Sequence, residues 1–280
     1  MINVISFPGL GIGPLEINRV ALKLGPFTVY WYGLIICLGL VLGLCYLYYR
    51  IRKFGMNSDN LTDIAIFTIP SAIIGARLYY VLTSLEEYHS FYDVIAIWEG
   101  GIAIYGAVIA GALAVYLVCR FKKFPTMKVF DSIAPAVMLG QIAGRWGNFF
   151  NAEAYGVADK YEFFGKFFDI SALSEVNPFR MVINGMTVHP TFLYESVWNT
   201  VGFVLINVLW SKKKFDGEIL LWYLSWYGLG RSFIEGFRGD SLYIGSVRIS
   251  QLVGAVCFVT GVVLVTVIRA KIKKQNTAEV

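Results

Sequence analysis

The chain reads as an all-α integral membrane protein: seven transmembrane helices, N-terminus outside, C-terminus inside. Three observations predict this. Of 280 residues, 57% are apolar and only 15% charged, against roughly 45–50% and 25% in soluble domains. Seven stretches are long enough for a hydrocarbon core of about 30 Å, which takes about 20 helical residues. They are 28–49, 64–83, 100–119, 129–150, 190–210, 217–237 and 249–268. The basic residues alternate between the connecting segments, and the basic side marks the interior of the cell. Segments 50–63, 120–128, 211–216 and 269–280 hold 14 Lys or Arg in 41 residues, whereas 1–27, 84–99, 151–189 and 238–248 hold 7 in 93.

The first, third and seventh stretches contain no Asp, Glu, Lys or Arg. No Lys or Arg precedes the first apolar run within residues 1–15, so that run is expected to remain as an anchor and not to be cleaved. Residues 1–280 are read as a single polytopic membrane domain. The 151–189 external loop and the 1–27 segment are expected to build a small external cap. No strand alternation or internal repeat is evident, which weakens an inverted-repeat transporter.

Composition also excludes chemistries. His89 and His189 are the only histidines, too few for a three-His metal centre. Cys37, Cys45, Cys119 and Cys257 lie in apolar runs without a C-x-x-C pair and read as small hydrophobes. No metal, cofactor or nucleic-acid partner is expected. His89, beside Glu86 and Glu87, reads as a solvated loop residue.

Three basic residues fall inside the spans: Arg77, Arg145 and Arg231. A charge in hydrocarbon costs a few kcal/mol or more, which makes each a functional candidate. Each sits five or six residues from the outer end of its helix, roughly 8–9 Å below the boundary. One depth on three helices suggests a shared anionic partner. Glu195 lies at the same level. Glu235, four residues after Arg231, shares its face, and Arg238 follows three later. Asn148 shares the face of Arg145. Asp63, Asp131 and Glu218, at inner ends, read as caps or interfacial charges. Trp31, Trp146, Trp198, Trp222 and Trp226 read as an aromatic belt.

The run Gly144-Arg145-Trp146-Gly147-Asn148-Phe149-Phe150-Asn151-Ala152-Glu153-Ala154-Tyr155-Gly156 resembles the signature of the prolipoprotein diacylglyceryl transferases. Flanking pieces resemble the same family in the same order: Trp31-Tyr32-Gly33-Leu34, Gly75-Ala76-Arg77-Leu78, Gly100-Gly101 with Tyr105-Gly106, His189-Pro190-Thr191 with Leu193-Tyr194-Glu195, and Arg231-Ser232-Phe233-Ile234-Glu235. The resemblance implies a multi-pass enzyme of the bacterial plasma (inner) membrane. It implies transfer of the diacylglyceryl group of phosphatidylglycerol to the lipobox cysteine of a secreted lipoprotein precursor. It implies neither metal nor nucleotide. An arginine-lined anion or lipid-headgroup transporter is the alternative, and it calls for polar residues through the full membrane thickness.

The residue types suit that chemistry. A departing phosphate gains charge, which fixed cations stabilise. Arginine offers it a planar fork that does not lose its proton. Arg145 and Arg231 are expected to clamp the phosphate, with Asn148 beside Arg145. Glu235 is expected to aim Arg231, and Glu153 to hold Arg145 or substrate hydroxyls. Asn151, Gly156, Arg77, Arg238 and His189 complete the expected binding set, although His189 before Pro190 also suits a plain helix entry. The attacking thiol needs a base. Many relatives carry histidine where this chain has Tyr105, which leaves the base open: Tyr105 and Tyr32 are candidates, as bases or as headgroup positioners, and a phosphate oxygen or a carboxylate is the alternative proton acceptor.

Overall fold

The computed structural model describes residues 2–88 and 90–278; His89 lies outside them. Nine α-helices follow one another among the described residues: α1 Trp31–Ile51, α2 Ser58–Thr83, the short α3 Phe91–Ile95, α4 Ile104–Lys122, α5 Thr126–Asn151, the short α6 Ser171–Val176, α7 Thr191–Leu209, α8 Glu218–Ile234 and α9 Ile249–Ala278. Five segments, Trp31–Phe54, Ser58–Thr83, Ile104–Lys122, Thr191–Lys212 and Ile249–Thr277, are long and apolar enough to cross a membrane. The charged α5, which carries Lys128, Asp131 and Arg145, and the 17-residue α8 fall outside that measure. Two predicted starts move inward. Residues 28–30 belong to a strand, and residues 100–103 belong to the loop before α4.

The all-α expectation is corrected by short strands: β1 Ile2–Phe7, β2 Ile12–Asn18, β3 Val20–Leu24, β4 Phe27–Tyr30, β5 Gly156–Val157, β6 Lys160–Phe163, β7 Lys166–Asp169, β8 Met181–Ile183, β9 Met186–His189, β10 Tyr243–Ile244 and β11 Val247–Arg248. Five form one sheet in the order β2-β1-β8-β9-β5. Runs of two to seven residues are too short for alternation to announce them. Turn chemistry supplies the register instead. Ile183 pairs with Met186 across Asn184 and Gly185, which sit at φ 49° and 86°. Both central residues of the tightest hairpin turn need positive φ, and Asn-Gly tolerates it best. The sheet joins the N-terminal segment to the 151–189 region, with Ile5, Phe7, Met181, Ile183, Val188 and Phe192 as its buried apolar core.

The chain divides into two compact units, one of residues 1–45 and 133–280, the other of residues 46–132. In the second, α2 and α4 meet at glycines. A Cβ on Gly75 would stand 2.7 Å from the Gly106 carbonyl oxygen, so the backbones touch only because neither residue has one. Asp63 pairs with Lys122 at 2.9 Å.

In the first unit, α7 and α8 are locked by Trp198 and Trp226. Their rings stack at 4.3 Å. Each indole N–H donates to the other's backbone carbonyl, at 3.0 and 2.9 Å. Gly202 and Gly230 lie under the two rings, where any Cβ would collide. The belt reading of these two tryptophans is therefore corrected: their N–H groups bond within the protein. Glu218, expected as a cap or interfacial charge, is fully buried. It takes the Lys214 amide and the Arg269 guanidinium, both at 2.5 Å. Removing Arg269 would leave the buried carboxylate short of a partner, which costs more than the pair itself contributes.

Candidate active site

The centre of the larger unit is Glu195, one helical turn before Trp198 on α7. Its carboxylate is 9% exposed and meets three guanidiniums. Arg145 Nε on α5 lies 3.0 Å away, Arg231 Nη1 on α8 3.3 Å and Arg238 Nη1, in the bend after α8, 3.7 Å. The tryptophan lock sets α7 against α8 one turn from this contact, so packing delivers Arg231 to Glu195. Glu235, four residues after Arg231 on the same face, holds its Nη2 at 2.7 Å. Ser250 accepts from that nitrogen at 3.3 Å.

A polar chain runs outward from Arg145. Its Nη1 donates to Asn148 Oδ1 at 3.1 Å, and Asn148 Nδ2 donates to Glu153 Oε1 at 3.0 Å. Asn151 Nδ2 reaches the same oxygen at 3.2 Å. Glu153 thus steers Arg145 through Asn148. Gly147 lies under the Tyr32 ring; a Cβ there would stand 2.7 Å from its Cδ2, which places Tyr32 on α1 against the signature turn of α5. Gly156 has the same logic. It bridges to Arg238, and a Cβ would stand 2.9 Å from the Phe237 carbonyl oxygen.

The bend that carries Arg238 is anchored from behind by a residue the sequence reading left out. Arg248, buried at the head of α9, donates to the carbonyls of Glu235 (2.6 Å) and Arg238 (2.5 Å) and to Ser241 Oγ (2.8 Å). Its own charge is met by buried Glu162 at 3.0 Å. Tyr243 donates its hydroxyl to the same Glu162 oxygen at 2.7 Å, while Oε1 is buried without a hydrogen-bond partner among the described residues.

Direct ion pairing in the cluster is unequal. Arg145, Arg231 and Arg238 face Glu195 and Glu235, an excess of one positive charge. Asp240 restores balance from outside, taking Arg238 Nε at 3.0 Å and Nη2 at 2.8 Å. Among the described residues, Arg145 Nη2 has no protein acceptor. Such an array suits an anion with several oxygens.

Two expected site residues are placed differently. Arg77, in the smaller unit, spends all five N–H groups on carbonyls. Nε donates to Val94 (2.9 Å), Nη1 to Gly100 (2.5 Å) and Gly101 (2.7 Å), and Nη2 to Asp93 (2.6 Å) and Ala96 (3.4 Å). In this arrangement its donors fasten the 93–101 loop. Gly100 and Gly101, at φ 99° and 72°, turn the two carbonyls onto it.

His189 is buried with both ring nitrogens used. Ser174 donates to the Ala158 carbonyl, so its Oγ accepts the Nε2 proton at 2.8 Å. Nδ1 then accepts from the Tyr194 hydroxyl at 3.1 Å, and that hydroxyl accepts from Asn177 at 2.8 Å. The neutral tautomer follows from this network. Burial pushes the imidazole below its ordinary value, against the weaker raising effect of the Ala158 backbone. His189 ties the cap to the start of α7. Tyr105 belongs to the smaller unit, at the first turn of α4, its ring 6.4 Å from that of Tyr79.

Comparison with known proteins meets this geometry. The family model described as prolipoprotein diacylglyceryl transferase matches residues 19–267. The chain belongs to the prolipoprotein diacylglyceryl transferase family. A relative from Clostridium perfringens (strain 13 / Type A), named phosphatidylglycerol–prolipoprotein diacylglyceryl transferase 1, is 42% identical over 261 residues, covering 92% of this chain and 97% of its own. Relatives carrying the same enzyme name without the numeral come from Streptococcus uberis, 44% identical over 255 residues (89% and 94%), and Ligilactobacillus salivarius, 42% over 249 (88% and 91%). The span shared with the transferase family holds every residue of the Glu195 cluster. Glu195 itself carried a legible signal, a carboxylate five residues inside a predicted span, but its role as the shared partner did not. Arg248 ends the two-residue strand β11, too short for any periodicity to point at it.

Proposed function

We propose that this chain transfers the diacylglyceryl group of phosphatidylglycerol to the thiol of the lipobox cysteine of a secreted lipoprotein precursor, the first step of lipoprotein maturation. The observation that carries the reading is the convergence of Arg145, Arg231 and Arg238 on Glu195. The sulfur attacks the glyceryl carbon, a C–S bond forms, and the C–O bond to phosphate breaks. Glycerol phosphate leaves with the electron pair, and the thiol proton passes to a base or to the phosphate.

The phosphate bears one charge in the lipid and gains a second on departure. Guanidiniums already fixed by carboxylates stabilise that gain without reorganising. Arg145 and Arg231 are the principal clamps and Arg238 the outer one. Asn148 and Glu153 set the Arg145 fork, Asn151 braces Glu153, Glu235 sets Arg231, and Gly156 lets the Arg238 bend approach. A free cysteine has a pKa near 8.5, so deprotonation is part of the task. Tyr105 and Tyr32 are the candidates for assisting it or for positioning the headgroup.

The topology we propose has seven spans in a single polytopic domain, with the N-terminus outside, the C-terminus inside and the β-sheet cap external. Its support is the alternation of basic loops. Arg145, Arg231 and Glu195 then lie at the outer level of a bacterial plasma membrane, where translocated precursors arrive. Both lipid tails stay in hydrocarbon, so access is lateral.

The test is direct. Purified protein with phosphatidylglycerol and a lipobox peptide should yield a peptide heavier by one diacylglyceryl group, and a Cys→Ser peptide should gain nothing. An unmodified cysteine peptide under conditions that support a known transferase would overturn the proposal.

A further inference from the structure

Arg238 has two edges with different partners. Its Nη1 faces Glu195 inside the cluster. Its Nε and Nη2 are gripped by the two oxygens of Asp240, at 3.0 and 2.8 Å. The pair is lopsided in burial, with the Arg238 side chain 11% exposed and that of Asp240 54%. It is lopsided in anchorage too. The Arg238 carbonyl is tied to Arg248, and its backbone bridges Gly156. Asp240 follows exposed Gly239 on a bend. Opening this contact therefore moves Asp240 outward and leaves the arginine in place.

A bidentate carboxylate and a bidentate phosphate use the same guanidinium edge, so the two exclude one another. The excess positive charge of the inner pairs is also what Asp240 neutralises. We propose that Asp240 is a competing counterion: it occupies the outer edge of Arg238, is displaced by the phosphate of the lipid headgroup, and returns to expel the phosphate product. The proposal rests on the transferase reading for the identity of its ligands.

An exposed ion pair is a modest competitor. A group that must leave before a ligand enters weakens every ligand of that edge by the same factor. Removing it should therefore tighten binding of phosphatidylglycerol and of glycerol phosphate alike, by about 2–5-fold.

The experiment compares full-length wild type with Asp240→Asn in detergent micelles. It measures KM for phosphatidylglycerol, inhibition by glycerol phosphate, and direct calorimetric binding of glycerol phosphate. The expected result is a lower KM and a matching fall, about 2–5-fold, in the glycerol phosphate inhibition and dissociation constants. Unchanged constants would overturn the proposal. A higher KM or a collapsed kcat would overturn it equally, because Asp240 would then be a brace that aims Arg238. Asp240→Ser gives the same readouts should the asparagine variant not fold. If wild type moves no diacylglyceryl group, the transferase reading fails. The binding arm still decides whether Asp240 competes with phosphate.

Discussion

Arg77 and Arg145 are the same residue type at the same predicted depth, yet they are used oppositely. Around Arg77, five backbone carbonyls consume five N–H groups. Around Arg145, one carboxylate and one amide oxygen consume two. Carbonyls are weak, fixed acceptors that must be answered when buried, so an arginine surrounded by them is a fastener. A carboxylate shared by three guanidiniums leaves charge and donors over, so arginines gathered around it can bind. Depth in a membrane thus marks a buried arginine as worth inspection, and its acceptors decide what it does.

The widest test of this contrast is Arg145→Lys. The charge stays and the fork goes. We expect kcat/KM for diacylglyceryl transfer to fall by about 100-fold, in the range seen when one charge-stabilising donor is removed, with little change in melting temperature. Arg77→Lys should do the reverse. It strands several carbonyls at about 1–3 kcal/mol for each one left unsatisfied. A fall of several degrees in melting temperature is expected, with activity per folded molecule within about two-fold of wild type. Transfer abolished in a fully folded Arg77→Lys protein would break the distinction.

Trp198→Phe keeps the stack and removes one reciprocal hydrogen bond. A loss of about 1 kcal/mol is expected, read as a small drop in melting temperature.

The smallest effect is a pH dependence from His189. Its folded pKa is depressed by burial, so the unfolded chain binds the extra proton first. The contribution is complete above the unfolded value near 6.5 and is lost as pH falls toward the folded one. Melting of wild type between pH 8 and 5 should therefore decline more steeply than that of His189→Gln.

Much of this site was legible before any coordinates, because hydrocarbon makes polar residues conspicuous. Arg145, Arg231, Asn148 and Glu235 stood out on helices, where spacing converts directly into shared faces. Arg238 was named among the expected binding residues, but not its approach to Glu195. What escaped lies on irregular backbone: a bend, held by Arg248, folds Arg238 back over the helix ends. No periodicity encodes a bend. The sheet was hidden for a related reason: its strands are brief, and the Asn184-Gly185 turn was the local sign. Trp198 and Trp226 misled because an indole anchored at an interface and one bonded across two helices look alike in a sequence. The paired Gly202 and Gly230, each supplying room for the opposite ring, are what separate the cases.

Ile5 is hydrogen-bond neighbour to Ile183 in the cap, and this has a bearing on biogenesis. A chain growing at about 5–20 residues per second leaves its first strand waiting on the order of ten seconds or longer for its partner to emerge. Throughout that interval β1 offers an open edge and an apolar row to whatever is nearby. Emergence of the later segments closes it, so completion of this sheet is timed by translation of the middle of the message, not by its beginning.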